Sequence, residues 1–397
     1  MRLRLLALAT PVCLLVLAPA ATAASLPALQ AKLGREMSLA GAFSGAYVRD
    51  LDTGQAVFAR KPDVPRVPAS VEKLYTTSTS LLKLGPDATL PTVAVTAAPL
   101  DPGGVLRGDL VIRGGGDPTL DRARIAQLAS SLQAGGIARI AGSVLGDESR
   151  FDLLRGSYDT GGSYDRDIGG VLGALTVGRG FSTDLKPGLG AAKSLVRALR
   201  GDGVEVDGAT STATAPDGAR QVAQVLSPAI RDLIAMTNVP SDNYYAETLL
   251  KDLGASFGGA GTTAAGAAVA RAQLVTFGVH PRIVDGSGLS RANRTTPRQV
   301  VRLLERMHGQ EVGLDFEASL PTAGRTGTLR RRMRGTPAQD DCRAKTGTLI
   351  GVSTLAGVCS TTGGNTLAFA LMMNRANVGR AHGVQDRMTA AIAAYSG

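Results

Sequence analysis

The sequence predicts an α+β protein: one antiparallel sheet assembled from both ends of the chain and covered by helices, with an α/β region inserted between. Three observations lead there. Strand-like runs cluster near the two ends, at 43–60 and 343–373. Residues 227–307 carry helix start and stop signals instead. From about 86 to 224 the texture changes to short apolar runs broken by glycine, aspartate and proline. With 44% hydrophobic and 19% charged residues, a 397-residue chain can bury a large core in two or three domains, which excludes a disordered protein.

The chain opens on residues 1–23, which read as an export leader. Arg2 and Arg4 are basic, 5–17 is an apolar core, and Ala21-Thr22-Ala23 is a small-residue cleavage site. Cys13 lacks the small-residue run that precedes a lipidated cysteine. No later run approaches a membrane span. The expectation is an exported protein, periplasmic or extracellular and cell-wall associated, with at most peripheral membrane contact. Its main domain would comprise 24–85 and 225–397, interrupted by an inserted domain at 86–224.

A helix at 26–39 leads to a hairpin with strands at 43–51 and 55–60 and Asp52-Thr53-Gly54 as its turn. Pro68 and the small residues after it suit a helix start, with Leu74, Leu81, Leu82 and Leu84 as the apolar side. The insert shows strand patterns at 92–96, 108–113 and 137–145 and helices at 121–133 and 191–199. Its Gly114-Gly115-Gly116-Asp117 cluster lacks the ending of a phosphate loop and reads as a turn. Ser227-Pro228 then opens a helix that ends near Met236. Others follow at 244–253 (closed by Gly254), at 264–277, and from Thr296-Pro297 to about Met307. Strands at 343–349 and 352–358 meet at Ile350-Gly351, before a strand at 366–373 and a closing helix at 384–395. A symmetric turn at Ile350-Gly351 places Cys342 opposite Cys359. This predicts a cross-strand disulfide, with two buried thiols as the alternative.

The formal charge of +10, which includes Arg2 and Arg4, suits an anionic wall polymer, a membrane surface or nucleic acid. Only 4% of residues are aromatic and none are interleaved with a basic block, so nucleic acid has no support. The densest basic run, Arg330-Arg331-Arg332 with Arg334, reads as a solvated patch. Eight lysines stand against thirty-five arginines. Since only lysine can lose its proton near neutral pH, the retained lysines draw attention.

One of them is Lys73. Ser70 and Lys73 are three residues apart at a helix start, so they share a face. A serine there has unpaired backbone N–H groups beside it, where an oxyanion can be stabilised, and a desolvated lysine one turn on can take its proton. The same spacing recurs at Ser80 and Lys83, but mid-helix, where backbone N–H groups are already paired; that copy is set aside. Ser241-Asp242-Asn243 falls in a turn before a helix, where a hydroxyl and an amide can point into a cleft or simply cap the helix. Lys345-Thr346-Gly347-Thr348 lies on a strand, where lysine and hydroxyls can hold a carboxylate and glycine admits a ligand to the backbone; an edge strand guarded by lysine is the plain alternative. A near-copy, Gly324-Arg325-Thr326-Gly327-Thr328-Leu329, is followed by basic residues and is discounted. Gly254-Ala255-Ser256-Phe257-Gly258 matches a nucleophile elbow but follows a helix where that motif needs a strand. His280, His308 and His382 are far apart, a triad of Asp285 and His308 has little to recommend it, and no spacing suggests a metal.

As an ordered set, S-x-x-K, S-x-N and K-T-G form the kit of the penicillin-recognising acyl-transferases. Residues 114–120, 285–290 and 320–324 extend the match, so the mature chain resembles the class C low-molecular-mass penicillin-binding proteins, the D-alanyl-D-alanine carboxypeptidase/endopeptidases. The resemblance implies a penicillin-binding-protein/β-lactamase-like domain plus an insert. It implies no cofactor, peptidoglycan stem peptides as substrate, and β-lactams as covalent inhibitors. On these positions it implies Ser70 as nucleophile and Lys73 as general base. Ser241 and Asn243 would pass a proton and hold the substrate backbone. Lys345, Thr346 and Thr348, with Gly347 between them, would bind the terminal carboxylate. The backbone N–H groups of Ser70 and Thr348 would form the oxyanion hole. Two alternatives stay open: a serine β-lactamase, and a non-catalytic wall-binding or β-lactam-sensing homologue.

Overall fold

Helix α1 (Leu26–Leu39) opens the computed structural model, which describes residues 25–180 and 185–397; the expected leader, with Cys13, lies outside the described residues. The helix buries Leu29, Leu33 and Met37, one residue per turn. The hairpin of β1 (Ser44–Asp50) and β2 (Ala56–Arg60) follows, its turn held by Asp50 Oδ1, which accepts from the N–H groups of Asp52 and Thr53. Next comes a 3₁₀ turn, Ala69–Glu72, and α2 (Lys73–Leu84). The helix therefore starts later than its sequence suggests. Ala69 has a φ of +49°, which no right-handed helix accommodates, so Ser70 sits on the tighter turn ahead of α2.

The middle of the chain runs β3 (Pro91–Thr96), β4 (Val105–Leu106), β5 (Leu110–Arg113), α3 (Arg122–Ala134), β6 (Arg139–Ile140), β7 (Val144–Asp147), α4 (Pro187–Gly201), β8 (Glu205–Val206), β9 (Thr210–Thr212) and β10 (Arg220–Leu226). They form a mixed sheet in the order β10-β3-β5-β7-β9 and a small parallel sheet, β4-β6-β8. Leu110, Ile112, Ile125, Leu128, Leu195 and Leu199 share the core between them and α3 and α4. The single strand expected at 137–145 is two strands in two sheets. Asp109 Oδ1 takes the Ser143 N–H out of the ladder where the chain changes sheets. Strands β8, β9 and β10 carry too little apolar alternation to be seen in the sequence.

The last part holds α5 (Ile230–Asn238), α6 (Asn243–Phe257), α7 (Thr263–Thr276), α8 (Pro297–His308), the short α9 (Gly313–Ala318), β11 (Cys342–Leu349), β12 (Val352–Ser360), β13 (Thr366–Asn374) and α10 (Val378–Ala393). Asp242, Thr262, Thr296 and Asn377 cap α6, α7, α8 and α10 with their side chains. Ser227 caps no helix: its hydroxyl accepts from Leu90 N–H, and α5 starts three residues later. Gly254 does not end α6 either. A Cβ there would sit 2.6 Å from Ala260 O and 2.8 Å from Gly266 N, so this glycine lets α7 pack closely against α6.

The main sheet is antiparallel throughout, in the order β11-β12-β13-β1-β2, with Ser44 opposite Met373 and Asp50 opposite Leu367. Both ends of the chain thus meet in one sheet, as the pattern of the sequence requires. Cys342 lies opposite Cys359 and the two are joined as a disulfide. Alternation sends Val48, Leu355, Phe369 and Leu371 towards α1 and α10, and Tyr47, Ala356, Val358 and Met372 towards α2, α5, α6 and α8. On β11 the same rule separates Ala344, on the α1/α10 side, from Lys345 on the other. No helix among the described residues is long and apolar enough to cross a membrane.

Candidate active site

Four segments converge on the outer side of β11. The first is the 3₁₀ turn: with three residues per turn, Ser70 and Lys73 stack, and Lys73 Nζ lies 3.1 Å from Ser70 Oγ. The second is the α5–α6 turn. Asp242, the middle residue of Ser241-Asp242-Asn243, performs the cap by accepting from Tyr245 N–H, which releases its two neighbours for other work. Asn243 Oδ1 accepts from Lys73 at 2.6 Å, while its amide donates to Asp167 O at 2.7 Å, which fixes the orientation of the amide. Ser241 Oγ accepts from Lys345 Nζ at 2.7 Å. The third is β11 with Lys345. The fourth, the loop at 285–290, gives Ser287 O to Lys73 at 2.6 Å.

Glycine 347 decides how closely β11 meets the turn. A Cβ there would lie 2.2 Å from Thr354 Oγ1, 2.6 Å from Pro68 O and 2.9 Å from Ser70 N. Thr354 Oγ1 donates to Pro68 O at 2.6 Å and ties β12 to the same turn. Thr346 Oγ1 meets Thr328 Oγ1 at 2.8 Å, and Thr348 is exposed on the strand. Two backbones are held in the left-handed region, Ala69 at φ +49° and Ser241 at +65°. Such strain costs on the order of 1–3 kcal/mol each and persists only where the surroundings over-determine it.

Both lysines are fully buried. Burial lowers the Lys73 ammonium to about 8, opposed by the nearby carboxylates of Asp285, Glu247, Asp242 and Glu72. Burial, with the Lys73 charge added, pushes Lys345 well below its ordinary value. Neither lysine makes an ion pair among the described residues. The three contacts of Lys73 are unequal: Asn243 Oδ1 and Ser287 O can only accept, whereas Ser70 Oγ can donate. A neutral amine satisfies all three by donating twice and turning its lone pair to the serine hydroxyl. That is the arrangement of a general base beside its nucleophile.

The site thus holds Ser70, Lys73, Ser241, Asn243, Lys345, Thr346, Gly347 and Thr348 on three neighbouring segments. The sequence reading gave no role to Glu72 or Glu247, which no motif marks, and quoted Asp285 only within the 285–290 string and a discarded triad; all three are buried carboxyl groups around Lys73. It also discounted 324–329 too far. Arg325 pairs outward with Asp340, yet Thr328 reaches Thr346. From the middle region come Asp167, through its carbonyl, and Arg179, which pairs with Asp242 and lies over the Tyr245 ring at 4.9 Å. The other candidates do not assemble. His308 pairs with Glu317 while Asp285 bonds Asn293, Ser256 lies inside α6, and no metal-type cluster occurs among the described residues. In the basic run, Arg332 pairs with Asp386, and Arg330, Arg331 and Arg334 are exposed.

The model of the D-Ala-D-Ala carboxypeptidase 3 (S13) family matches residues 27–165 and 175–395. A D-alanyl-D-alanine carboxypeptidase of Actinomadura sp. (strain R39) is 30% identical over 448 residues, covering 91% of this chain and 83% of that protein. Carboxypeptidase DacB of Mycolicibacterium smegmatis is 33% identical over 360 residues, covering 83% of this chain and 76% of that protein. The crystal structure of penicillin binding protein 4 (dacB) from Haemophilus influenzae superposes with a TM-score of 0.78 at 21% identity, covering 90% of this chain and 97% of that one. That protein has also been solved in complex with a novel β-lactam.

Proposed function

Since the chain belongs to the D-Ala-D-Ala carboxypeptidase 3 (S13) family, we propose that the four converging segments are the active site of a serine DD-peptidase. The enzyme is a D-alanyl-D-alanine carboxypeptidase and/or endopeptidase, acts on peptidoglycan stem peptides through an acyl-enzyme, and is acylated by penicillin. Ser70 Oγ attacks the carbonyl carbon of the penultimate D-alanine while its proton passes to Lys73 Nζ. The N–H groups of Ser70 and Thr348, brought together by the bare Cα of Gly347, receive the developing oxyanion. Ser241, bonded to Lys345, relays a proton to the departing amine, and Asn243 orients the substrate backbone. Lys345, Thr346 and Thr348 take the terminal carboxylate. Water then cleaves the acyl-enzyme and regenerates Ser70.

The observation that carries this reading is the contact set of Lys73, two obligate acceptors and one hydroxyl. Lys345 supports it as a buried amine that makes no carboxylate contact among the described residues; burial and the Lys73 charge disfavour its ammonium, which an anionic substrate end would stabilise. We also propose that 86–224 is an inserted domain whose Asp167 and Arg179 brace the site, and that the enzyme works outside the cytoplasm on the wall. The test is release of D-alanine from a stem pentapeptide ending in D-alanyl-D-alanine. The wild type should release it and Ser70→Ala should not; release by a folded Ser70→Ala would refute the assignment.

A further inference from the structure

The loop at 285–290 is built around two buried carboxylates that the mechanism above does not use. Glu247, on α6, accepts from Gly286 N–H at 3.0 Å and Ser287 N–H at 2.8 Å. Asp285 Oδ1 accepts from Gly288 N–H at 2.8 Å and from Asn293 Nδ2 at 2.7 Å, and its Oδ2 accepts from Ser290 N–H at 2.6 Å. The loop is also seated on the nucleophile turn. Gly288 has a φ of +83°, and a Cβ there would lie 2.0 Å from Ala69 O. One peptide unit therefore faces both ways. Its N–H, on Gly288, points to the Asp285 carboxylate, and its C=O, on Ser287, receives Lys73 Nζ at 2.6 Å. A carboxylate on the N–H end of a peptide polarises the carbonyl at the other end and strengthens what that carbonyl accepts.

We propose that Asp285 and Glu247 are positioning residues for the general base: Asp285 acts on Lys73 through the Ser287–Gly288 peptide unit, and Glu247 fixes the two preceding N–H groups so that the Ser287 carbonyl stays on the amine. This rests on Lys73 being the base. The pair also supplies charge. The groups facing Lys73 are Glu72 on its own turn, Asp242 capping α6, Glu247 from α6, Asp285 from the loop, and Lys345 from β11. Glu72 is itself raised well above its ordinary value by burial, with the Asp285 and Glu247 carboxyls beside it. Lys345, whose ammonium burial disfavours, has the opposite effect. Burial raises Asp285 and Glu247 too, Glu247 to about 7; once ionised, the two oppose the desolvation of the Lys73 ammonium most strongly.

The experiment measures the acylation rate constant of the mature protein with a fluorescent penicillin across about pH 6 to 10, for the wild type, Glu247→Gln, Asp285→Asn and Lys73→Ala. Glutamine keeps an oxygen for the Gly286 and Ser287 N–H groups and removes only the charge. Losing a nearby anion lowers the amine's proton affinity, so the acid limb should move to lower pH by about one unit. The alkaline plateau should fall roughly tenfold as the base weakens. A merely structural role would reduce the fraction of labelled protein and leave the limb in place. An unmoved limb in folded Glu247→Gln overturns the proposal, whether or not Asp285→Asn folds. Failure of the underlying reading looks different: Lys73→Ala would then acylate at the wild-type rate.

Discussion

Two serine–lysine pairs with the same three-residue spacing lie within one short stretch, Ser70/Lys73 and Ser80/Lys83, and only the first resembles a site. Ser80 spends its hydroxyl on Thr76 O at 2.9 Å, one turn back along α2. Lys83 is exposed and rests over the Phe257 ring at 4.9 Å. Neighbours on one helix face, the two side chains are thus engaged elsewhere. Ser70 sits on a 3₁₀ turn forced by the left-handed Ala69, where positions three apart eclipse, and Lys73 is completely buried. What separates the pairs is the company that distant segments bring: Asn243 from α6, Ser287 from a loop and Gly347 from a strand. Spacing nominates a pair; the converging segments are what set Ser70/Lys73 apart.

The two lysines should respond differently to substitution. Lys73→Met should lower penicillin acylation by roughly 10³-fold, since it deletes the proposed base, and Lys83→Met should leave it unchanged. Stopped-flow acylation of both variants decides whether the environment or the motif matters. A smaller effect is expected where the strand meets the turn. Gly347→Val places methyl groups against Thr354 Oγ1 and Pro68 O and should push β11 off the Ser70 turn. The expected result is a loss of about 10² in acylation, as misplacement of the oxyanion donors demands, with a destabilisation of about 1–3 kcal/mol from overpacking. Denaturant titration and acylation kinetics would read both.

The smallest effect is a dependence of stability on pH. Both oxygens of Glu72 are buried without hydrogen-bond partners, and burial, with Asp285 and Glu247 beside it, raises its carboxyl well above the ordinary 4.5. The folded protein therefore keeps a proton that the unfolded chain releases. That stabilisation is complete below the unfolded value and is lost as pH rises through the raised folded value. Glu72→Gln cannot titrate. The stability of the variant relative to wild type should rise with pH above about 4.5, by up to about 1.4 kcal/mol per pH unit. Parallel urea titrations at several pH values would show it; a constant difference would mean that Glu72 is ionised in the fold.

How much of this was legible depended on how local the signal was. The S-x-x-K, S-x-N and K-T-G strings, the cap at Thr296 and the turn at Ile350-Gly351 are written in neighbouring residues, and the strand register that pairs Cys342 with Cys359 follows from that turn. The two-ended sheet followed from strand-like runs at both ends. What the sequence hid was long-range. Gly254 looks like a helix stop and is a packing contact with α7, and Ser227 looks like a cap and is bonded to Leu90. Glu247 and Asp285 sit in segments whose meaning appears only once α6 and the loop are side by side, 38 residues of chain apart. Polar strands such as Thr210–Thr212 lack the alternation that would announce them.

The most direct measurement is labelling of the mature protein by a fluorescent penicillin beside Ser70→Ala, read by intact mass. The wild type should carry one stable adduct and Ser70→Ala none, with D-alanine release blocked in step. Two results would contradict this. Rapid consumption of penicillin with no adduct retained would make the protein a β-lactamase, and absence of reaction in a folded wild type would leave a binding protein that has kept the pocket without its chemistry.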